Sequence, residues 1–228
     1  MTELPVALIT GASRGIGLAI ARELAPTHHL LLGGRDGAAL AALAGDFPSA
    51  EPFAAELTDL APETVAGITR LDVLVHSAGV LQMGRVADLT PEQWRNSFEI
   101  NVFAVANLTR LLLPALRESK GQVVAINSGS GYASGDGSAV YSGTKFALRA
   151  FTDALRPEER DNGVRVCSIH PGRVATDMQQ ELHDFEGKEY RPEEWIQPDQ
   201  VAKAVRLAVD ASRDSVIESL NIRPSGMA

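Results

Sequence analysis

A glycine-rich turn at residues 10–17, with the sequence TGASRGIG, constrains this chain more than any other feature. An apolar run of strand length ends at Thr10, and apolar residues recur at helical spacing after the turn. The glycines Gly11, Gly15 and Gly17 suit a turn where a Cβ atom would collide with a ligand or bar an unusual φ. The first N–H groups of the next helix would suit a pyrophosphate. An ordinary strand-to-helix turn is the alternative, because the spacing departs from G-x-G-x-x-G.

Composition places the chain among soluble globular proteins. Its 228 residues, 45% hydrophobic and 22% charged, fit one α/β domain. The net charge of −8 argues against a nucleic-acid or anionic-membrane surface, and no apolar run approaches the roughly 20 residues of a membrane span. Strand-like sequence begins by Leu4, which leaves no room for a signal peptide and predicts a cytoplasmic protein. The single cysteine, Cys167, is interpreted as a buried core thiol, and no metal site is expected.

Strand-like and helix-like stretches alternate along the whole chain. The predicted strands are residues 6–10, 29–33, 52–55, 71–75, 122–126, 164–170 and 215–222. The predicted helices follow the glycine turn and then cover residues 37–45, 62–68, 90–118, 141–160 and 198–211. This order predicts a single doubly wound, Rossmann-like α/β domain over residues 1–228. Its mostly parallel seven-stranded sheet has helices on both faces.

Two segments depart from this regular alternation. Pro157 is expected to bend or end the helix 141–160 early, because proline lacks the N–H that a helix needs. Residues 177–194 are acidic and poor in apolar side chains, so they predict a long surface loop with short helices. Such a loop often covers a site, although a solvated insertion is the alternative.

Several polar residues could carry chemistry. Tyr141 and Lys145 share one face near a helix start, where the ammonium would lower the phenol pKa and make it a usable acid or base. Ser128 follows a buried strand and could donate a hydrogen bond to a carbonyl oxygen, a role for which Ser130 competes. Asn101 lies among apolar residues inside a helix, as a satisfied core amide or a holder of ordered water. Chance pairing and turn formation are the alternatives for these residues.

Taken together, these residues resemble the short-chain dehydrogenase/reductase family over essentially the whole chain. The matching features are the turn at residues 10–17, Ala78-Gly79, Asn101, Ser128, Tyr141-x-x-x-Lys145, and Pro171-Gly172 with Thr176. Each motif is modest alone, but here all of them occur in order and in register. Two departures are His76-Ser77 in place of the family's usual paired asparagines, and Glu56 in place of an aspartate near the adenine.

The resemblance implies a catalytic tetrad of Asn101, Ser128, Tyr141 and Lys145. Tyr141 would be the general acid or base, with its pKa lowered by Lys145, which would also hold the nicotinamide ribose. Ser128 would polarise the substrate carbonyl, and Asn101 would position a water that links Lys145 to solvent. The implied cofactor-binding residues are Gly11, Ser13, Arg14, Gly15, Ile16, Gly17, Arg35, Glu56, Leu57, Ser77, Ala78, Gly79, Tyr141, Lys145, Pro171, Gly172, Val174 and Thr176.

Charge at the end of the second strand favours NADP(H) as the cofactor. Family members that use NAD typically carry a carboxylate there, whereas this chain has Gly34 followed by Arg35. Arg35 and Arg14 could form a clamp for the 2′-phosphate. Asp36 leaves an alternative open, because a shift of one residue in register would make it the ribose ligand.

The resemblance therefore implies an NADP(H)-dependent oxidoreductase that interconverts a carbonyl and a secondary alcohol on a small organic substrate. The pocket is expected to be bordered by residues 81–83, Tyr132, Arg173 and the loop at about 177–195. Helices near residues 100–118 and 141–156 would form a homodimer or homotetramer. A non-catalytic NADP(H)-binding regulator on the same fold is the rival function, because fold does not imply activity.

Overall fold

Seven strands form the sheet in the computed structural model, which describes residues 4–226. They are β1 Val6–Thr10, β2 His29–Gly34, β3 Ala50–Ala54, β4 Val73–His76, β5 Gln122–Ile126, β6 Arg165–Pro171 and β7 Ser219–Ile222. All neighbouring pairs are parallel, in the order β3-β2-β1-β4-β5-β6-β7. The predicted seven-stranded, doubly wound sheet is confirmed. The last strand is shorter than predicted, since residues 215–218 lie outside it.

Eight helices within the described residues connect and cover the strands. They are α1 Gly15–Leu24, α2 Gly37–Ala44, α3 Pro62–Val65, α4 Pro91–Phe98, α5 Ala104–Ser119, α6 Ala139–Glu159, α7 Asp177–Glu186 and α8 Pro198–Val209. The helix predicted over residues 90–118 is interrupted by a π-turn at Glu99–Phe103, which includes Asn101. Such single turns inside helices are rare and often lie at functional sites.

Alternation along the strands creates two apolar layers. In β1, Ala7 and Ile9 belong to one core cluster with residues of α1 and α8, whereas Leu8 belongs to another with residues of α5 and α6. These side chains are fully buried, because both faces of a parallel sheet are covered by helices. The helical stretch Pro91–Ser119 is long and apolar enough to span a membrane, but Leu108 and Leu112 of this stretch are buried in the protein core.

The strand order fixes where a ligand can bind. From β1 the chain goes outward to β2 and β3, then returns to place β4 on the other side of β1. Helices from the two halves therefore diverge at the carboxyl ends of β1 and β4, which opens a crevice at that edge. The glycine-rich turn follows β1, so it lies at this crevice.

Pro157 does not end its helix early, contrary to the prediction. Helix α6 continues through Pro157 to Glu159. Proline removes the hydrogen bond to the carbonyl four residues earlier. Pro157 lies in the last turn and is exposed, so water can satisfy that carbonyl and the helix continues.

Glu159 and Arg117 join the ends of α5 and α6, and this contact generates a stability prediction. The two nitrogens Nε and Nη2 of Arg117 donate to the Glu159 carboxylate at 2.9 and 2.6 Å. The hydrogen bonds from Arg117 lower the pKa of Glu159. The carboxylate therefore contributes stability at neutral pH, and this contribution is lost as the pH falls through the pKa of the folded state.

We expect Glu159→Gln to lower the free energy of unfolding at pH 7 by about 1 kcal/mol, since half-exposed Arg117 is partly screened by solvent. Urea denaturation of the parent and the variant, at pH 7 and in acid, measures this difference in the free energy of unfolding. The difference from the parent should shrink as the pH falls below the ordinary carboxyl value of 4.5. Glu158→Gln, at the exposed neighbouring position, is the control and should change little. An equal loss at both pH values would contradict the ion-pair explanation.

Candidate active site

The glycine-rich turn packs directly against the loop after β4. Gly11 has φ +67°, and a Cβ atom there would lie 3.0 Å from the backbone of Ala78. A Cβ atom on Gly17 would overlap the carbonyl oxygen of Gly11. Both positions therefore require glycine, the first for its backbone conformation and its close approach and the second for close packing.

Thr10 holds these two segments together, a role that motif reading did not identify. Its Oγ1 accepts the backbone N–H groups of Ser77 and Ala78 at 3.0 and 3.1 Å and donates to the carbonyl of Val75 at 3.3 Å. The carboxyl ends of β1 and β4 are thereby fixed to each other. The only sequence signal was that a threonine ends an otherwise apolar strand.

The amino end of α1 is suited to an anion. Arg14 occupies the N-cap position without a side-chain hydrogen bond to the helix, and the first turn of α1 carries no acidic residue. The positive end of the helix dipole is therefore uncompensated within the described residues. Ser13, Gly15 and Ile16 lie at this end, and a Cβ atom on Gly15 would be 3.5 Å from the Thr176 methyl group. This cradle fits the diphosphate of the predicted dinucleotide.

Residues 171–176 bring the end of β6 to the same cradle. Pro171 ends the strand, and the Gly172 N–H donates to the carbonyl of Ile222 at 2.7 Å. Val174 is buried and forms an isolated bridge with Ile196. Thr176 caps α7, because its Oγ1 accepts the N–H of Gln179. The predicted cofactor residues after β1, β4 and β6 thus lie at one edge of the sheet.

The region predicted to meet the adenosine has a defined register. Strand β2 ends at Gly34, and Arg35 follows as an exposed side chain. Asp36 is the N-cap of α2, where its Oδ1 accepts the N–H of Ala39 at 3.0 Å. This capping bond occupies one oxygen of the exposed Asp36 carboxylate, so the alternative in which Asp36 binds the ribose stays open. Glu56 likewise caps the turn Leu57–Asp59, and its carboxylate accepts a hydrogen bond from the Thr58 hydroxyl at 3.1 Å.

Ser128 and Tyr141 meet at the end of β5. The Ser128 hydroxyl lies near enough to the Tyr141 hydroxyl to lower the pKa of the phenol, which brings the loop after β5 beside the first turn of α6. The backbone N–H of Ser130 donates to Ser128 Oγ at 3.1 Å. Of the two candidate serines, Ser128 therefore faces the tyrosine, and Ser130 supports it through its backbone.

Lys145 lies one helical turn after Tyr141 and is buried. Its Nζ is 5.6 Å from the centre of the Tyr141 ring and donates to the carbonyl of Ile126 at 3.2 Å. Burial lowers the pKa of this ammonium to about 8. Burial also raises the pKa of Tyr141, and the nearby Ser128 hydroxyl offsets this in part. The predicted lowering of the phenol pKa by Lys145 is therefore wrong for this structure, in which the phenol is protonated at neutral pH.

Asn101 links the loop after β4 to α6. Its Oδ1 accepts the N–H of Val80, and its Nδ2 donates to the carbonyl of Val80, each at 2.9 Å. The same Nδ2 donates to the hydroxyl of Thr144 at 3.2 Å, immediately before Lys145. Both amide donors are occupied, so the side chain fixes backbone and helix. Holding a water for Lys145 stays a prediction, since no contact between Asn101 and Lys145 is seen.

Helix α7 lies in the segment predicted to be a loop that covers the site. Phe185 packs so closely on Gly137 that a Cβ atom there would lie 2.9 Å from its ring. Arg173 binds Glu186 through two hydrogen bonds of 3.0 and 2.5 Å, and Arg14 pairs with Asp177 at 3.0 Å. The helix is therefore anchored at both ends, whereas its role as a cover for substrate stays a prediction.

Not every predicted pocket residue faces this cover. The Tyr132 ring packs against His170, with centroids 4.4 Å apart, and its hydroxyl bonds with Ser219 at 3.2 Å. A cavity of about 390 Å³ between residues 84–88 and 135–139 is lined by neither Ser128 nor Tyr141, so it lies beside the site.

The surroundings of Cys167 and His76 indicate that both residues have structural roles. Cys167 is fully buried, and burial raises the pKa of its thiol to about 12, which makes it inert. His76 bonds with the Thr109 hydroxyl at 2.8 Å, and burial lowers its pKa to about 3. Among residues 4–226 no group of three or more His, Cys, Asp or Glu side chains could hold a metal.

Known proteins share this architecture and sequence. The family model for short chain dehydrogenases matches residues 5–187. A short-chain type dehydrogenase/reductase of Sinorhizobium fredii is 35% identical, covering 99% of this chain and 94% of its own length. The structure of an alcohol dehydrogenase from Thermococcus sibiricus, complexed with 5-hydroxy-NADP, has a TM-score of 0.87 and 27% identity, covering 99% of each chain. Actinorhodin polyketide ketoreductase with NADPH has a TM-score of 0.86 and 26% identity, covering 97% and 96%.

These similarities agree with the geometry of the crevice and confirm the family that the motifs predicted. The chain belongs to the short-chain dehydrogenase/reductase family of oxidoreductases.

Proposed function

We propose that this protein is an NADP(H)-dependent oxidoreductase that interconverts a carbonyl and a secondary alcohol on a small organic substrate. The observation that carries this is the neighbouring pair of hydroxyl groups of Ser128 and Tyr141, with the buried ammonium of Lys145 5.6 Å from the Tyr141 ring. A proton donor, a hydrogen-bond donor and a positive charge converge there at the carboxyl edge of the sheet. Carbonyl chemistry needs these three groups when negative charge develops on oxygen.

The protonated phenol defines the order of proton movement. In the direction of reduction, Tyr141 donates its proton to the carbonyl oxygen as the carbon is reduced. The Ser128 hydroxyl donates a hydrogen bond to the same oxygen, and the Lys145 ammonium stabilises the phenolate that forms. NADPH supplies the hydride when it is bound. In the direction of oxidation, Tyr141 as phenolate takes the alcohol proton.

The preference for NADP(H) is supported by the end of β2. Gly34 offers no carboxylate, and one oxygen of Asp36 accepts the capping hydrogen bond of α2. Arg35, the next residue after β2, is exposed, and its guanidinium would bind a 2′-phosphate, a group that suits arginine. Arg14 pairs with Asp177 in the structure, so its share in the clamp requires exchange of that exposed ion pair. Two solved relatives hold NADPH or an NADP derivative.

We also propose a homodimer or homotetramer built on helices near residues 100–118 and 141–156. Phe103 and Phe146 are large apolar side chains on these segments, and they are 55% and 43% exposed. Such side chains favour burial against a second copy. The acidic net charge of −8 is compatible with a cytoplasmic enzyme that binds neither nucleic acid nor membrane.

The hydroxyl pair predicts that Tyr141→Phe abolishes most turnover without loss of cofactor binding. Removing a general acid costs roughly 10²–10⁴-fold in rate, so kcat should fall by about that factor. NADPH oxidation across ketones, aldehydes and quinones identifies a substrate, and fluorescence titration gives the Kd for NADPH. The Kd should stay within about twofold, as the ring remains. NADPH binding by the parent without turnover of any compound would support the rival regulator.

The pKa of Lys145 predicts an alkaline limit for reduction. The ammonium is the stabilising form, and it loses its proton as the pH rises through about 8. We expect kcat/KM for the carbonyl substrate to fall above that pH, with circular dichroism showing that the fold persists. A profile that stays flat as the pH approaches the ordinary Lys value of 10.5 would contradict this assignment.

Arg35 predicts the cofactor preference. Arg35→Ala should raise the KM for NADPH by about tenfold, because a charge-assisted contact with phosphate is lost, and leave the KM for NADH unchanged. The control is Arg160→Ala, because Arg160 is an exposed arginine at the carboxyl end of α6, away from Tyr141. A parent enzyme that prefers NADH would refute the proposed cofactor.

A further inference from the structure

Ser128 is held at each of its hydrogen-bonding groups. Its N–H donates to Oδ1 of Asn127 at 2.9 Å, and its Oγ accepts the N–H of Ser130 at 3.1 Å. Its backbone carbonyl accepts the N–H of Gly131 at 3.0 Å and lies 3.0 Å from Nδ1 of His170, so this side chain supplies the second of two donors. The peptide groups on both sides of the Ser128 Cα are thus held, which sets the direction of its Cβ and hydroxyl. Motif reading had not singled out His170.

The contact with Ser128 specifies the tautomer of His170. A carbonyl oxygen can only accept, so Nδ1 of His170 must carry the hydrogen. In the neutral ring Nε2 then has only a lone pair, and this atom is buried without a hydrogen-bond partner among the described residues. Protonation would create a buried N–H donor with no acceptor, which is costly. The neutral form with hydrogen on Nδ1 therefore fits this site.

The surroundings of His170 favour the same form. The residue is 1% exposed, and burial lowers its pKa, with a further contribution from the positive charges of Arg149 and Arg223. Asp153 acts in the opposite direction, as does the bond to the Ser128 carbonyl. The net shift is downward, so the ring stays uncharged near neutral pH.

A stack of side chains fixes the plane of the ring. Tyr132 packs on His170 at 4.4 Å, and the guanidinium of Arg149 lies 4.3 Å from the centre of the Tyr132 ring. Nη1 of Arg223 donates to the backbone carbonyl of His170 at 2.6 Å. The imidazole is therefore held from its ring face and its backbone, with Nδ1 directed at Ser128.

We propose that His170 is a positioning residue for the reaction: it fixes the Ser128 carbonyl so that the serine hydroxyl faces Tyr141. This inference rests on the proposed function, because Ser128 is assigned there to the substrate carbonyl. His170 touches neither Tyr141 nor the reacting atoms, and it acts only through the backbone of Ser128.

Two variants of His170 separate this role from simple packing. In His170→Asn, the side-chain amide N–H lies about as far from the backbone as Nδ1 of the histidine does. In His170→Leu, the side chain fills more of the space left by the imidazole but has no hydrogen-bond donor. A positioning role predicts that Asn retains kcat within about twofold and that Leu loses about tenfold, as expected for one hydrogen bond. A packing role predicts the reverse order, because Asn leaves the larger cavity. The Kd for NADPH should be unchanged in both.

A second background tests whether the effect passes through Ser128. In Ser128→Ala the hydroxyl is absent, so adding His170→Leu should cost no further kcat. A full additional loss in that background would overturn the proposal, as would an Asn variant no better than Leu. Thermal unfolding of each variant shows whether a lost rate reflects a lost fold.

The tautomer can be observed without turnover. Long-range ¹H–¹⁵N spectra report which nitrogen of each imidazole carries hydrogen, and the His170 signal is identified by its absence in His170→Asn. We expect hydrogen on Nδ1 and none on Nε2 between pH 6 and pH 8, about the range where free histidine titrates. A signal with hydrogen on Nε2, or one that titrates with a pKa near the ordinary value of 6.5, would overturn the proposal. This readout holds even if no carbonyl compound is turned over, which would refute the proposed function alone.

Discussion

The approach of the Ser128 hydroxyl to the Tyr141 hydroxyl is the contact on which the site depends. It exists only because β5 ends beside the first turn of α6, and that proximity follows from a parallel sheet covered by helices. Burial has opposite effects on the two ionisable groups of the site. It raises the pKa of the Tyr141 phenol, which stays protonated at neutral pH, and it lowers the pKa of the Lys145 ammonium to about 8, so that the lysine can lose its proton close to neutral pH.

The fold was predictable because its determinants are local and repeated. Buried parallel strands need continuous apolar runs, and such runs marked β1, β2, β5 and β6 within a few residues. The position of the site followed from topology, since glycines, Ser128 and Thr176 all come after strands. The end of α6 was predicted within one residue, but the early end expected at Pro157 was wrong, because a proline in the last turn removes only one helical hydrogen bond.

The hydrogen-bond partner of each polar side chain was the part of the site that the sequence could not supply. Glu56 and Asp36 each cap a nearby turn, and Arg14 pairs with Asp177, 163 residues away in the chain. The contact of the His170 ring with the Ser128 carbonyl also links β6 to the loop after β5, and nothing in either segment indicates it. These bonds depend on distances set by the assembled sheet. A motif identifies which residue types meet at the crevice, whereas only coordinates show which atoms are already occupied.

The contact made by Thr10 explains how this chain departs from its family without losing the crevice. The threonine hydroxyl contacts only main-chain groups, the N–H groups of Ser77 and Ala78 and the carbonyl of Val75. This contact therefore does not depend on the side chains of His76 and Ser77, which stand where the family usually has paired asparagines. The junction between the ends of β1 and β4 can thus persist while side chains that line the crevice change.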